Sequence, residues 1–144
     1  MINVRDLIRR KGSRVFSIHP TDSVLNAMKL MAENNTGALL VMNGEQVVGI
    51  VSERDCVRKV DILGKSAQVT TVSAIMTGKV LYVDASQSLE ECMAVMIGKN
   101  IRHLPVYENG KLAGLISVRD VLKGVVDYQK FMISQLEHYI SNSR

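Results

Sequence analysis

The feature that most constrains this chain is an internal repeat with a displacement of 65 positions. The segment GIVSERD at residues 49–55 recurs as GLISVRD at residues 114–120. Chance seldom keeps one register for so long, so a duplication is indicated, with two copies of one structural unit. The same displacement, without a gap, pairs Val15 with Val80, Ser23 with Ser88, Met28 with Met93, Met31 with Met96, Asn35 with Asn100, Leu39 with Leu104, Val41 with Val106 and Val60 with Val125.

Each copy has the pattern of a β-α-β-β-α unit. A β-branched run (residues 15–18 and 80–83) precedes a polar cap and a stretch of apolar residues at helical spacing. Two strands follow, at 38–42 and 47–51 in the first copy and at 103–107 and 112–116 in the second. Asn43-Gly44 and Asn109-Gly110 are predicted as the hairpin turns. Ser52 and Ser117 then cap a second helix.

The fold class predicted is α/β (α+β), with both copies in one module over residues 1–144. A three-stranded sheet with helices on one face leaves its other face apolar, so we expect the copies to pack sheet to sheet about a pseudo-two-fold axis. The predicted bounds are 12–61 for repeat 1, 62–79 for a connector that includes a short helical turn near residue 72, 80–127 for repeat 2, and 128–144 for an extended C-terminal helix. The apolar stripe of that last helix predicts packing on a second subunit.

Composition narrows the setting. No run of eighteen apolar residues is present, and residues 1–11 lack the pattern of a secretory signal, so we expect a cytoplasmic protein without a membrane span. Cys56 and Cys92 have no partner at metal-ligand spacing, and no metal site is predicted. The net charge of +4 and the isoelectric point near 9.2 favour an anionic partner of unspecified kind.

These motifs together resemble the CBS-domain family, in its small stand-alone form with one CBS pair (a Bateman module). The resemblance rests on the tandem copy, on GIVSERD with GLISVRD, on NTGALLV with IRHLPVY, and on the lead-in segments VRDLIRRKG and VSAIMT. It implies a regulatory module, usually a homodimer, that binds AMP, ATP, NAD(H) or a related adenosyl compound and acts on a partner protein that the sequence does not name.

The chemistry of two residues agrees with that implication. Asp55 and Asp120 each fall in the first turn of a predicted helix, where the helix dipole keeps a carboxylate ionised and able to accept hydrogen bonds from both hydroxyls of a ribose. Ser52 and Ser117 at the N-caps can present hydroxyls and nearby amides to a phosphate. Ser-x-x-Asp is also a common capping box, and taken alone each motif favours that interpretation. In the doubled context we favour the ligand interpretation.

The resemblance also implies two unequal clefts. The first, which we expect to be the better nucleotide site, would contain Asp120, Ser117, Arg119, Arg102, Phe16, Thr36, Gly37 and Ala38. The second would contain Asp55, Ser52, Arg54, Val80, Leu81, Ile101 and His103. Arg102 and Arg119 favour a phosphate-bearing ligand over adenosylmethionine.

Three rival functions remain. Nothing resembles a catalytic nucleophile with its base, and no phosphate-binding glycine loop is present, so an enzyme is not predicted. The basic run in residues 5–14 leaves nucleic-acid binding open, but it lacks interleaved aromatic residues and a recognition motif, which argues against that function. A protein-interaction module that works without ligand is the main alternative.

Overall fold

The computed structural model describes residues 2–12 and 14–142, and these form two compact units. The first-repeat unit holds residues 14–81, and the second-repeat unit holds residues 2–12 together with 82–142. The predicted mixed α/β class is confirmed. In chain order the elements are α1 (Val4–Lys11), β1 (Ser17–Ile18), α2 (Val24–Glu33), β2 (Ala38–Asn43), β3 (Gln46–Ser52), α3 (Glu53–Cys56), a π-helical turn (Val57–Asp61), α4 (Val72–Ile75), β4 (Val83–Asp84), α5 (Leu89–Gly98), β5 (His103–Glu108), β6 (Lys111–Ser117) and α6 (Val118–Asn142).

The first-repeat unit is built on a three-stranded sheet in the order β1-β2-β3. The strand β2 pairs parallel with β1 and antiparallel with β3. The helix α2 begins after Ser23, whose hydroxyl accepts a hydrogen bond from the Asn26 amide, and it ends at Asn34. Its buried face presents Val24 and Met31 to a core that also contains the buried residues of β2 and β3. The predicted β-α-β-β-α order therefore holds in this copy.

The second-repeat unit has the same topology, with a sheet in the order β4-β5-β6. Ser88 and Glu91 form a complete capping box at the start of α5. The equivalent helix ends, Asn35 and Asn100, both have positive φ, at 50° and 53°. Asparagine tolerates this left-handed conformation better than most residues, which explains why each helix ends just before its asparagine.

The two lead-in helices are exchanged between the repeats. The helix α1 precedes repeat 1 but packs in the second-repeat unit, where the Val4 amide donates to the Gln87 carbonyl at 2.9 Å. The helix α4 precedes repeat 2 but packs in the first-repeat unit, where the Val72 amide donates to the Asp22 carbonyl at 2.8 Å. Each helix therefore covers the repeat that it does not precede in sequence, which the sequence pattern did not predict.

A glycine on the third strand of each sheet makes room for these lead-in segments. A Cβ at Gly49 would lie 2.5 Å from the Met76 sulfur and 2.9 Å from the Thr77 carbonyl oxygen, whereas a Cβ at Gly114 would lie 2.6 Å from the Ile8 Cδ1. The first contact includes backbone, and the second involves only the end of a side chain. In both copies the glycine thus allows a lead-in segment to pack closely against the third strand.

Several predicted boundaries are corrected. The strands β1 and β4 contain two residues each because only those residues pair with the central strands β2 and β5. The first hairpin turns at Gly44 and Glu45 rather than Asn43-Gly44, since Asn43 is still paired with Gln46. The second turn, at Asn109-Gly110, is as predicted, and both its residues have positive φ. The helix α6 runs without interruption through Val118–Asn142.

We predict that Gly49→Ala destabilises the protein more than Gly114→Ala. The Gly49 methyl would press on the Thr77 carbonyl and should lower the free energy of unfolding by about 1–3 kcal/mol. The Gly114 methyl would displace only the mobile end of Ile8 and should cost less. Thermal and urea unfolding of the two variants give the comparison. Gly78→Ala is the control, because nothing lies within 4 Å of its Cβ position; an equal loss in all three variants would contradict the packing argument.

Candidate functional site

The Ser-x-x-Asp motif of the second repeat lies where β6 ends and α6 begins. The Asp120 amide donates to the Ser117 hydroxyl at 3.1 Å, and the Ser117 amide donates to Asp120 Oδ2 at 2.8 Å. These reciprocal bonds are the capping pair that the sequence suggested. They fix the Asp120 carboxylate at the head of a 25-residue helix.

A lysine from α1 completes this arrangement. Lys11 Nζ donates to Asp120 Oδ2 at 2.6 Å and to the Leu115 carbonyl oxygen at 2.8 Å. Burial by itself would raise the pKa of Asp120, but the Lys11 ammonium and the Ser117 amide outweigh it and hold that pKa below its ordinary value. Asp120 is therefore an anion at neutral pH.

His103 and Arg102 lie beside the same motif. His103 is the register partner of Ser117 across β5 and β6, and the Arg102 carbonyl accepts a hydrogen bond from the Val118 amide at 2.9 Å. Burial lowers the pKa of His103, the charges of Lys11 and Arg102 lower it further, and Asp120 acts in the opposite direction. Arg119 is exposed on the first turn of α6.

The first repeat repeats the motif with a different lysine. Both the amide and the hydroxyl of Ser52 donate to Asp55 Oδ2 at 3.0 Å. Lys59 lies 3.2 Å from Asp55 Oδ1, and its Nζ also donates to the Ile75 carbonyl oxygen at 2.8 Å. Arg54 is exposed on the short helix α3. In both repeats an ammonium thus joins the motif's carboxylate to a backbone carbonyl.

The remaining predicted site residues divide between the two units. In the first-repeat unit, Ala38 is the register partner of Ser52, and the Gly37 carbonyl accepts a hydrogen bond from the Glu53 amide at 3.0 Å. The Thr36 hydroxyl donates to the Ala38 carbonyl at 3.1 Å. The guanidinium of Arg14 lies 5.0 Å from the centre of the Phe16 ring. Val80 and Leu81 also belong to this unit, whereas Ile101 packs at the edge of the second-repeat core.

Sequence reasoning missed both lysines. Lys59 had a usable signal, because it follows Asp55 by four residues on a predicted helix, where opposite charges meet. Lys11 had none, since 109 positions separate it from Asp120. Within the basic run at residues 5–14, the structure pairs Arg5 with Glu108 and Lys11 with Asp120, each at 2.6 Å.

A separate groove of about 490 Å³ lies in the second-repeat unit along α1 and α6. It contains none of the predicted ligand residues; its lining is Ile2, Asp6, Arg9, Arg10, Asp127, Tyr128 and Phe131. The two cysteines, Cys56 and Cys92, are free and buried, and burial raises the pKa of each thiol to about 11. Across residues 2–12 and 14–142 there is no cluster of three residues suited to hold a metal ion, and no helix there is long and apolar enough to cross a membrane.

Two segments of the chain match a known protein family. Residues 4–62 and 72–127 each match the CBS domain. This chain belongs to the CBS domain family. The resemblance inferred from the repeat is thereby confirmed, and with it the CBS-pair fold. CBS-domain pairs are generally regulatory modules, and that coarse role applies to this chain.

Three similar proteins show how far the likeness extends. A mitochondrial CBS domain-containing protein of Arabidopsis thaliana is 36% identical over 124 residues, which cover 83% of this chain and 60% of that protein. The crystal structure of a CBS domain is 47% identical with a TM-score of 0.83, covering 88% of this chain and 99% of the other. A Burkholderia ambifaria protein with CBS domains, named for signal transduction, is 45% identical with a TM-score of 0.84, covering 88% and 95%. This chain spans only about three fifths of the Arabidopsis protein's length.

We predict opposite changes in the His103 titration when its two charged neighbours are removed. Lys11→Met should raise the pKa of His103, because a positive charge that disfavours the imidazolium is lost. Asp120→Asn should lower it further, because a negative charge that favours the imidazolium is lost. Titration of the His103 ring protons by NMR measures both. Lys123→Met, which removes an exposed charge from α6, should leave His103 unchanged; shifts of the same sign in the first two variants would contradict the proposed geometry.

Proposed function

We propose that this CBS pair is a regulatory module that binds an adenine nucleotide, with Asp120 as the group that recognises the ribose. The observation that carries the proposal is the ionised Asp120 carboxylate, fixed at the start of α6 and paired with the Lys11 ammonium. A carboxylate so held can accept hydrogen bonds from two adjacent hydroxyls. Adenine nucleotides present that pair on the ribose, which is the ligand class that the family resemblance implies.

The charges near α6 support a phosphate-bearing ligand. Arg102, Arg119 and Lys11 lie at or near the N-terminal end of this helix, where the helix dipole makes additional positive charge unfavourable. An anion bound there would interact favourably with both the helix end and the three cations. AMP, ATP and NAD(H) meet this requirement. The contributions of Phe16, Thr36, Gly37 and Ala38 to this site, and the whole of the second site around Asp55, remain predictions.

Asp120→Asn should weaken nucleotide binding at this site. The amide keeps the size of the side chain but replaces one acceptor oxygen with a donor and removes the charge, which should weaken binding at least about tenfold. Isothermal titration calorimetry of nucleotide-stripped protein against AMP, ATP, NAD and adenosylmethionine measures the loss and identifies the ligand.

Asp127→Asn is the matched control, since it removes a carboxylate from the same helix two turns further along. Binding by the wild-type protein and by Asp127→Asn, but not by Asp120→Asn, supports the proposal. Undiminished nucleotide binding by Asp120→Asn would show that Asp120 does not recognise the ligand. If none of the four compounds binds to the wild-type protein, the protein-interaction module becomes the better description.

The outer half of α6 supports a role in self-association, which we include in the proposal. Beyond residue 128 every described residue of this helix is exposed, and the exposed residues include large apolar side chains. Ile133 is 56% exposed and Leu136 is 57% exposed. An isolated helical segment of this length is marginally stable in water, so a covering partner is expected. A second copy of the chain offers the same stripe in return. Nucleotide binding would then change the geometry of the dimer or its interaction with a regulated partner protein. The sequence suggests that this takes place in the cytosol.

We predict that Leu136→Glu shifts the protein from dimer to monomer. In a dimer, a carboxylate in the middle of this apolar stripe would be buried without a partner. Burying such a charge costs on the order of several kcal/mol, enough to dissociate the dimer. Sedimentation equilibrium measures the change. Ser134→Glu puts the same charge on the polar face of the same helix and should leave the dimer intact. A wild-type monomer at all concentrations, or equal dissociation of both variants, would contradict self-association through this stripe.

A further inference from the structure

Lys11 occupies one oxygen of the carboxylate that the proposed ligand needs. Its ammonium lies 2.6 Å from Asp120 Oδ2, and the same oxygen accepts the Ser117 amide at 2.8 Å. A carboxylate oxygen has two lone pairs, so Oδ2 already has two donors. A ribose whose hydroxyls engage both oxygens of Asp120 must therefore displace Lys11 from Oδ2.

The end of α1 that carries Lys11 is suited to such an exchange. The other end of the helix is held by the Val4 and Arg5 amides, which donate to Gln87 and Ala85, and by the buried side chains of Leu7 and Ile8. Lys11 is the last residue of α1, and its side chain is 39% exposed. A lysine on a flexible four-carbon stem can leave one anion for another while the helix that carries it stays in place.

In the first repeat the carboxylate of the motif pairs with a lysine from a different position in the chain. Lys59 joins Asp55 to the Ile75 carbonyl as Lys11 joins Asp120 to the Leu115 carbonyl. The repeat displacement places Gly124 at the position equivalent to Lys59, and a Cβ at Gly124 would lie 2.7 Å from a methyl of Leu89. A side chain at this position would press on Leu89, and the ammonium of the second repeat comes from α1 instead.

Displacing Lys11 has a different consequence for charged and neutral ligands. A nucleoside binds the carboxylate and leaves the Lys11 ammonium without an anion, near the positive end of α6. A nucleotide also brings a phosphate, and the Lys11 ammonium can pair with this phosphate in place of Asp120. We propose that Lys11 is the specificity-determining residue of the Asp120 site: it makes the site select phosphorylated adenine ligands over adenosine. This inference rests on the proposed function.

The test compares the affinities of AMP and adenosine for four proteins, the wild type and three variants. In the wild-type protein AMP should bind more tightly than adenosine. In Lys11→Met the preference for AMP over adenosine should narrow by up to about fivefold, the size of a partly exposed ion pair, because adenosine gains affinity while AMP does not. Lys11→Arg keeps the charge and should keep the preference. Lys123→Met removes one positive charge from an exposed position of α6 and controls for the change in net charge.

The outcomes separate this inference from the proposed function. If the preference for AMP over adenosine narrows in Lys11→Met but not in Lys11→Arg or Lys123→Met, the result supports the role of Lys11. Tight AMP binding with the same preference in all four proteins overturns that role and leaves the adenylate site standing. Absence of binding by every protein, Lys11→Met included, overturns both.

Discussion

The reciprocal hydrogen bonds between Ser117 and Asp120 are the interaction on which the second repeat depends. They join the last residue of β6 to the first turn of α6, and thereby set the direction in which a 25-residue helix leaves the sheet. The same bonds present the Asp120 carboxylate at a fixed place. Capping and ligand binding do not compete for this group, because a carboxylate has about four acceptor positions and the cap uses only one of them.

The two repeats share a backbone but differ in what surrounds the motif. Ala38 is paired with Ser52, and His103 with Ser117, so the equivalent strand positions hold a methyl group in one copy and an imidazole in the other. Duplication keeps the residues that fill the core and cap the helices, since a change there destabilises the fold. Residues around the carboxylates carry no such constraint. This is why one backbone can present different side chains around the two carboxylates.

Much of the fold was predictable because its signals are local. The serine caps, the asparagines that end α2 and α5, and the second hairpin turn act through residues three or four positions apart. The first hairpin was misplaced by one residue because Asn43-Gly44 is a strong turn signal in isolation, whereas the pairing of Asn43 with Gln46 moves the turn to Gly44 and Glu45. The long α6 was likewise visible in the apolar spacing, although its exposed stripe reveals a partner only once the fold shows which side is free.

The candidate site was predictable only in part. The sequence by itself determined that there are two copies and that each ends its sheet in a Ser-x-x-Asp motif. It assigned Arg102 to the Asp120 cleft and His103 to the Asp55 cleft, whereas the structure pairs His103 with Ser117 in the second repeat. Only the tertiary structure decided that each lead-in helix packs on the repeat that it does not precede, and that Lys11 reaches Asp120. The physical reason is the range of the interactions. Caps and periodicity join near neighbours in the chain, whereas the packing of Ile8 against Gly114 brings together residues more than a hundred positions apart and carries Lys11 to the carboxylate.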